Sequence, residues 1–150
     1  MALITLDDLA QTSGALLGID PGTKTFGLAV CDTTRLIASP GTTILRKKFT
    51  PDAAKIFALY DERACAAMII GKPVNMDGSE GPRAQSVRDF CVNLLNLRDV
   101  PIFMWDERLS TAAVTRTLLE ADTSRAKRAQ NVDKLAAAYI LQGVLDRLRA

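Results

Sequence analysis

The chain contains no histidine. That excludes Ser-His-Asp and Cys-His catalysis and zinc sites built on imidazole. Hydrolytic chemistry here must rest on carboxylates, lysines, hydroxyls or a hard metal ion. Cysteine is scarce: Cys31, Cys65 and Cys91 are odd in number, widely spaced and form no CxxC pair. Each lies in an apolar run, which predicts reduced core thiols and a reducing, cytoplasmic setting. Long apolar runs are missing as well. The longest, Ala64–Ile70 and Leu135–Leu141, are far too short to span a bilayer, so no membrane association is expected. Met1 to Asp8 carry acids and no basic stretch, unlike a secretory signal. Strong charge of either sign is also absent. A net charge of +2 neither demands nor excludes nucleic acid, so only local clusters of Lys and Arg inform.

What is present fits one ordinary globular domain. The 150 residues are 48% hydrophobic and 24% charged, and a domain of this size buries roughly 70% of its extended-chain surface without staples. The whole chain, 1–150, is read as that domain, with 1–14 a peripheral lead-in holding one helical turn at Leu6–Gln11.

The organising stretch runs from Leu16 to Val30. An apolar run ends in Asp20, turns on Pro21-Gly22 and re-enters an apolar run. Pro21 suits the second position of a type II turn and Gly22 the third, where φ is positive. Ala15–Asp20 and Phe26–Asp32 are thus expected as hairpin strands, with Leu36–Leu45 a third strand interrupted at Ser39-Pro40-Gly41, an edge or bulge signal. Thr50-Pro51-Asp52 reads as a helix start with Thr50 as N-cap. Cys65–Ile70 reads as a buried strand, 75–82 as a loop, Arg83–Leu97 as a one-sided helix and Pro101–Trp105 as a further strand. Leu109–Glu120 is expected to be helical, Asp122–Gln130 a mobile basic loop, and Asn131–Leu148 the last helix, with Tyr139 on its apolar face. The order β-β-β-α-β-α-β-α-α predicts an α/β domain whose later strands run parallel to the first.

Ligands of such sheets gather beyond the carboxyl ends of the strands. Asp20 ends the first strand and Asp106-Glu107 follow another, so both sites open on one sheet edge. Asp133 precedes Ala136 and Ala137 by three and four residues, on the apolar stripe of its helix. A lone inward acid is costly unless it is paired or coordinates a metal. A helix-terminus preference for Asp133, or pairing of the acids with Lys24 or Arg108, is the plainer alternative. Three converging acids without histidine point to Mg²⁺ or Mn²⁺, held by oxygen ligands. Two such ions could catalyse in-line displacement at a phosphodiester. Gly22, Thr23 and Lys24 offer N–H groups and a cation to a phosphate. Arg125, Lys127 and Arg128 are either a solvated loop or a nucleic-acid contact.

Four ordered motifs carry a family resemblance. Leu17-Gly18-Ile19-Asp20-Pro21-Gly22-Thr23-Lys24, Asn75-Met76-Asp77-Gly78-Ser79-Glu80, Asp106-Glu107-Arg108-Leu109-Ser110-Thr111 and Val132-Asp133-Lys134-Leu135-Ala136-Ala137 resemble the YqgF family, over about Leu16 to Leu145. These are Holliday-junction-resolvase-like proteins described as candidate nucleases that mature precursor small-subunit ribosomal RNA. The resemblance implies a ribonuclease-H-like fold, here a mixed five-stranded sheet with three antiparallel and then two parallel strands flanked by helices. It also implies cytoplasmic location, a divalent-metal nuclease with Asp20, Glu107 and Asp133 as catalytic and metal-holding acids, and structured RNA as partner. Asn75, Arg108, Ser110 and Thr111 join the turn and the basic residues as expected substrate contacts. The chain departs from the family in having Thr25-Phe26 where an Arg-Ile pair is usual, and Lys72 where Leu is frequent. Those departures bear on substrate contacts more than on the acids. Branched DNA is the alternative substrate. A catalytically silent RNA-binding assembly factor and a phosphate-binding module of the actin, Hsp70 and sugar-kinase type are the alternatives of other classes. The latter needs two such domains around a cleft, and 150 residues supply one. A monomer or a homodimer is compatible with the sequence.

Overall fold

A computed structural model describes residues 3–75, 77–109 and 125–150; over 125–134 the description is of the backbone alone. The described residues form, in order, α1 (Leu6–Gln11), β1 (Ala15–Pro21), β2 (Thr25–Val30), β3 (Ser39–Leu45), α2 (Phe49–Glu62), β4 (Cys65–Lys72), α3 (Pro82–Leu97), β5 (Ile102–Asp106) and α4 (Arg125–Arg149). A short 3-10 turn, Glu107–Leu109, follows β5.

The sheet order is β3-β2-β1-β4-β5. β1, β2 and β3 pair antiparallel, while β4 and β5 run parallel to β1. This is the mixed five-stranded sheet that the sequence predicts. β3 is an edge strand, and its register slips opposite Gly27 and Ala29, next to Pro40 and Gly41. A Cβ on Gly41 would lie 2.9 Å from the Leu28 carbonyl oxygen, so the close backbone approach there requires glycine.

Every residue of β1 is buried because both sheet faces are covered. Alternation along the strands sorts the core into two layers. Leu17, Ile19, Met68, Ile70 and Ile102 pack with Ile56 and Tyr60 of α2 and Val87, Phe90 and Leu94 of α3. Leu16, Ala67, Ile69 and Trp105 face the other way, onto Ala137, Ile140, Leu141 and Val144 of α4. α4 lies close on β1 because Gly18 has no side chain: a Cβ there would meet Leu141 Cβ at 3.0 Å and the Ala137 carbonyl oxygen at 3.2 Å.

Several expectations are corrected. Gly22 does not adopt positive φ, since Gly14 and Gly78 are the described glycines that do. Pro21 remains in β1 opposite Phe26, and the tight turn spans Gly22–Thr25, closed by Gly22 N–H donating to the Thr25 carbonyl at 2.9 Å. α2 starts before Thr50, with Lys48 at the N-cap; the buried Asp52 carboxylate accepts the Lys47 N–H at 2.9 Å and ties the entering chain to the first turn. The lead-in is not peripheral, because Leu9 is fully buried beside Leu16 and Ile4 N–H donates to the Ile102 carbonyl. α1 itself matches the predicted Leu6–Gln11 turn and carries a Thr5/Asp8 capping box.

The largest correction concerns the basic segment. Residues 125–130, expected as a loop, are the first turns of α4. Low hydrophobicity is a poor loop signal where Arg, Ala, Lys and Gln are all strong helix formers and no Gly or Pro intervenes. Tyr139 is exposed rather than inward. The expected helix Leu109–Glu120 lies outside the described residues from Ser110 onward, and Leu109 itself closes the 3-10 turn.

Candidate active site

The alternation that sorts the core also aims the acids. Leu16, Gly18 and Asp20 share the α4 face of β1, and Asp20 ends that series buried at the strand's carboxyl end. Phe103 and Trp105 share the α4 face of β5. Glu107 continues that register just past the strand and is also buried. β4 runs between them, level with Asp20 at Gly71. A Cβ on Gly71 would lie 3.4 Å from Glu107 Cγ and only 2.4 Å from Ile140 Cδ1. Glycine therefore leaves room for Ile140 of α4 to pack on β4, and Glu107 lies over the same spot, on the same face as Asp20.

Asp106 has the opposite register and a different fate. Its carboxylate accepts from Arg108 Nη2 at 2.7 Å, Arg108 Nε at 3.0 Å and the Arg108 N–H at 2.9 Å. The Arg108 guanidinium holds the Asp106 carboxyl below its ordinary range. Two adjacent acids are thus separated by the pleat, one locked to an arginine at the rim and one buried on the face of Asp20. Arg108, expected at substrate, is engaged by Asp106.

Asp133 stands in the third turn of α4. Helical periodicity puts it one turn before Ala136 and Ala137 and two before Ile140, the residues that rest on the sheet. Because α4 begins at Arg125, Asp133 is past the first turn, where the helix dipole acts, so that dipole does not account for its position. Its side chain lies outside the described residues. Among the described residues no three of His, Cys, Asp and Glu gather closely enough to hold a metal ion. Asp20 and Glu107 nonetheless suit one chemically: two buried carboxylates offering hard oxygen donors.

The remaining expected contacts fall as follows. Gly22, Thr23 and Lys24 form the β1–β2 turn, with Thr23 and Lys24 exposed. Asn75 is engaged within its own loop, its amide donating to Ser79 Oγ at 3.0 Å and its carbonyl accepting Gly78 N–H at 2.9 Å. Ser110 and Thr111 lie outside the described residues. Arg125, Lys127 and Arg128 sit on the first turns of α4, described at the backbone. Sequence reasoning missed Arg46 and Arg83, which both reach the carbonyls of the turn after Asp20. The basic run Arg46-Lys47-Lys48 was the available signal for the first of them.

The fold is that of the ribonuclease-H-like nucleases. The chain is similar to "T. thermophilus RuvC in complex with Holliday junction substrate", with a TM-score of 0.56 over 91% of this chain and 97% of that one, at 14% identity. A second structure of Thermus thermophilus RuvC matches with a TM-score of 0.53 over 90% and 96% of the two chains, also at 14% identity. At that identity the likeness speaks for the fold. Sequence relatives are much nearer. One from Paramagnetospirillum magneticum is 62% identical over 131 residues, 87% of this chain and 84% of its own. One from Rhodospirillum rubrum is 55% identical over 148 residues, 98% and 92% of the two chains. Both bear the name "Putative pre-16S rRNA nuclease". Residues 14–147 match the model of the RuvX family, described as Holliday junction resolvase. The chain belongs to the RuvX family, the same grouping as the YqgF family that its motifs resemble.

Proposed function

We propose that this protein is a metal-dependent nuclease that hydrolyses phosphodiester bonds of structured RNA, with precursor 16S ribosomal RNA as its substrate. The observation that carries the reading is the placement of Asp20 and Glu107. They are two buried carboxylates on one sheet face, at the carboxyl ends of parallel strands, with side-chain-free Gly71 between them. Carboxylates at that end of the sheet are hard oxygen donors of the kind that Mg²⁺ and Mn²⁺ prefer. Asp20 and Glu107 would hold Mg²⁺ or Mn²⁺, with Asp133 completing the set from α4. When bound, such ions supply an activated water and neutralise charge developing on the phosphodiester. The protein's own share is to exclude bulk water with α4, to hold the carboxylates in register, and to bring a strand past the β1–β2 turn. The names of relatives at 55–62% identity support the RNA substrate.

The DNA reading rests on the family description and on the fold shared with RuvC. Purified protein is assayed on a precursor 16S RNA fragment and on a four-way DNA junction, with Mg²⁺, with Mn²⁺ and with EDTA. Cleavage of the RNA that EDTA abolishes is expected. Cleavage confined to the junction moves the substrate to DNA, and cleavage undiminished in EDTA ends the metal mechanism. Among the described residues no helix is long and apolar enough to cross a membrane. Action on pre-ribosomal particles would place the protein in the cytoplasm.

A further inference from the structure

The turn that follows Asp20 is gripped from two sides by arginines. Arg46, just past β3, donates through Nη1 to the Gly22 carbonyl at 2.6 Å. Arg83, in the first turn of α3, donates through Nη2 to the Pro21 carbonyl at 3.1 Å. The backbone ties the same segments together, since Arg46 N–H donates to the Lys24 carbonyl at 2.9 Å. The Arg46 guanidinium is seated 4.5 Å from the centre of the Phe26 ring, and Phe26 stacks on Phe90 at 4.8 Å. A planar cation resting on a stacked aromatic pair is held in place before any ligand arrives.

Among the described residues neither arginine is paired with an acid. Arg88, Arg98, Arg108 and Arg149 are each committed to a carboxylate, on Glu80, Asp61, Asp106 and Asp146 respectively. Among the described residues Arg46 and Arg83 form no such pair, and each makes one side-chain hydrogen bond. A guanidinium carries five N–H donors, so most of both forks remain available. Between them lies a small cavity of about 80 Å³, bounded by Pro21, Gly22, Thr23 and, from α3, Ser86 and Phe90. With about 10–15 Å³ sufficient for one water, the cavity admits several waters, the room that a tetrahedral oxyanion would take in their place. The α3 terminus beside it starts at Pro82 without a side-chain cap, which adds positive potential. Lys24, Lys47 and Lys48, exposed chain neighbours of Thr23 and Arg46, add further positive charge to the same two segments.

We propose that Arg46 and Arg83 form a phosphate-binding subsite that holds one backbone phosphate of the nucleic-acid strand beside the scissile bond. It rests on the nuclease reading only for the identity of that strand. Asp20 and Pro21 are consecutive, so the subsite and the acid series occupy opposite faces of one strand end. A strand passing over the turn meets the guanidinium pair and then the carboxylates, which makes Arg46 and Arg83 positioning residues. Arg46 and Arg83 supply cations to the same turn from other elements.

The test is binding in EDTA, where no metal-dependent cleavage intervenes. Labelled single-stranded RNA and DNA of one sequence are titrated at several salt concentrations against wild type, Arg46→Gln, Arg83→Gln, the double variant and Arg63→Gln. Arg63 is an exposed, charge-matched control at the opposite end of the sheet. The double variant is expected to bind both strands more weakly and to lower the slope of log affinity against log salt by about 0.7, one phosphate contact on a single strand. Arg46→Lys keeps the slope, because it keeps the charge. Melting temperatures are read in parallel. Lower melting with an unchanged slope means that the arginines only brace the turn, and overturns the proposal. A slope that falls equally in Arg63→Gln overturns it too. Arg83→Gln, which leaves the aromatic stack untouched, carries the test if Arg46→Gln folds poorly. The readout is separate from the nuclease reading. A wild type that cleaves nothing yet shows the slope change keeps the subsite, and intact cleavage with no slope change removes the subsite alone.

Discussion

Gly71 gives the sharpest test of how the acids are seated. In Gly71→Ala the new methyl group is built 2.4 Å from Ile140 Cδ1 and 3.2 Å from Ile140 Cγ1, while Glu107 Cγ at 3.4 Å remains an ordinary contact. Ile140 is fully buried, so Cδ1 has no solvent to move into. Overpacking of this kind costs about 1–3 kcal/mol. It is partly offset by roughly 0.4–1 kcal/mol from the stiffer unfolded chain. For a domain of this size each kcal/mol moves Tm by about 2–4 °C, so a loss of several degrees is expected. Ile140→Val removes Cδ1, the clashing atom, and alone costs about 0.5–1.5 kcal/mol through the gap it leaves. In the double variant the alanine methyl fills that gap. The double variant should therefore be more stable than Gly71→Ala alone, with a favourable coupling of about 1 kcal/mol or more. Urea melts of the four proteins close the cycle, and nuclease rates at saturating substrate show whether Glu107 stays in place throughout. Strict additivity of the two single effects would refute this packing of β4, α4 and Glu107.

Asp133→Asn should abolish metal-dependent cleavage while leaving the metal-free Tm unchanged or higher; marked destabilisation without metal would make it a structural ion-pair partner instead. Leu141→Ala, fully buried on the same helix, should cost about 2–5 kcal/mol through its cavity and affect activity only through unfolding, read by melting beside the cleavage assay. Glu80 is held down to about 2 by hydrogen bonds from Arg88 and then Lys72. Its folded pKa is depressed, so its contribution is present above the unfolded value near 4.5 and is lost as pH falls toward 2. Glu80→Gln should flatten Tm against pH across that window, and an unchanged acid slope would discount the pair. Burial pushes the Cys91 thiol up to about 12 and Cys65 up to about 11. Alkylation of the native protein at pH 8 should therefore be slow and follow unfolding, and rapid labelling of Cys91 would contradict its burial.

Local information carries much of this protein. The apolar runs at 15–20 and 65–70, the 3.6-residue spacing at 84–94 and 136–144, and the Pro40-Gly41 interruption all appear as β1, β4, α3, α4 and an irregular edge strand. Asp20 and the pair Asp106-Glu107 could be singled out because an acid ending a buried run is conspicuous within a few residues of chain, and the motif resemblance then pointed to Glu107. The absence of histidine by itself removes whole classes of chemistry. Boundaries were less legible where two local signals compete. Thr50-Pro51 is a good helix start, yet α2 begins at Phe49, with the chain before it tied back by the Lys47 N–H to the buried Asp52 carboxylate. The basic run at 125–130 has the composition of a solvated loop and the propensity of a helix, and propensity prevailed.

What only the tertiary structure decided is which distant residues meet. Alternation along β5 makes Asp106 and Glu107 point oppositely, but only the side of the sheet taken by α4 determines which of them is buried. Gly71 is an unremarkable strand glycine until α4 is laid over β4, where its missing Cβ gives Ile140 its room beside Glu107. Arg46 and Arg83 are far apart in sequence, and strand pairing with α3 packing brings both to one turn. Periodicity, capping and turn chemistry act over a few residues and can be read from them. Strand order, register and crossover side are set by packing of the whole chain, and proximity between elements follows from those alone.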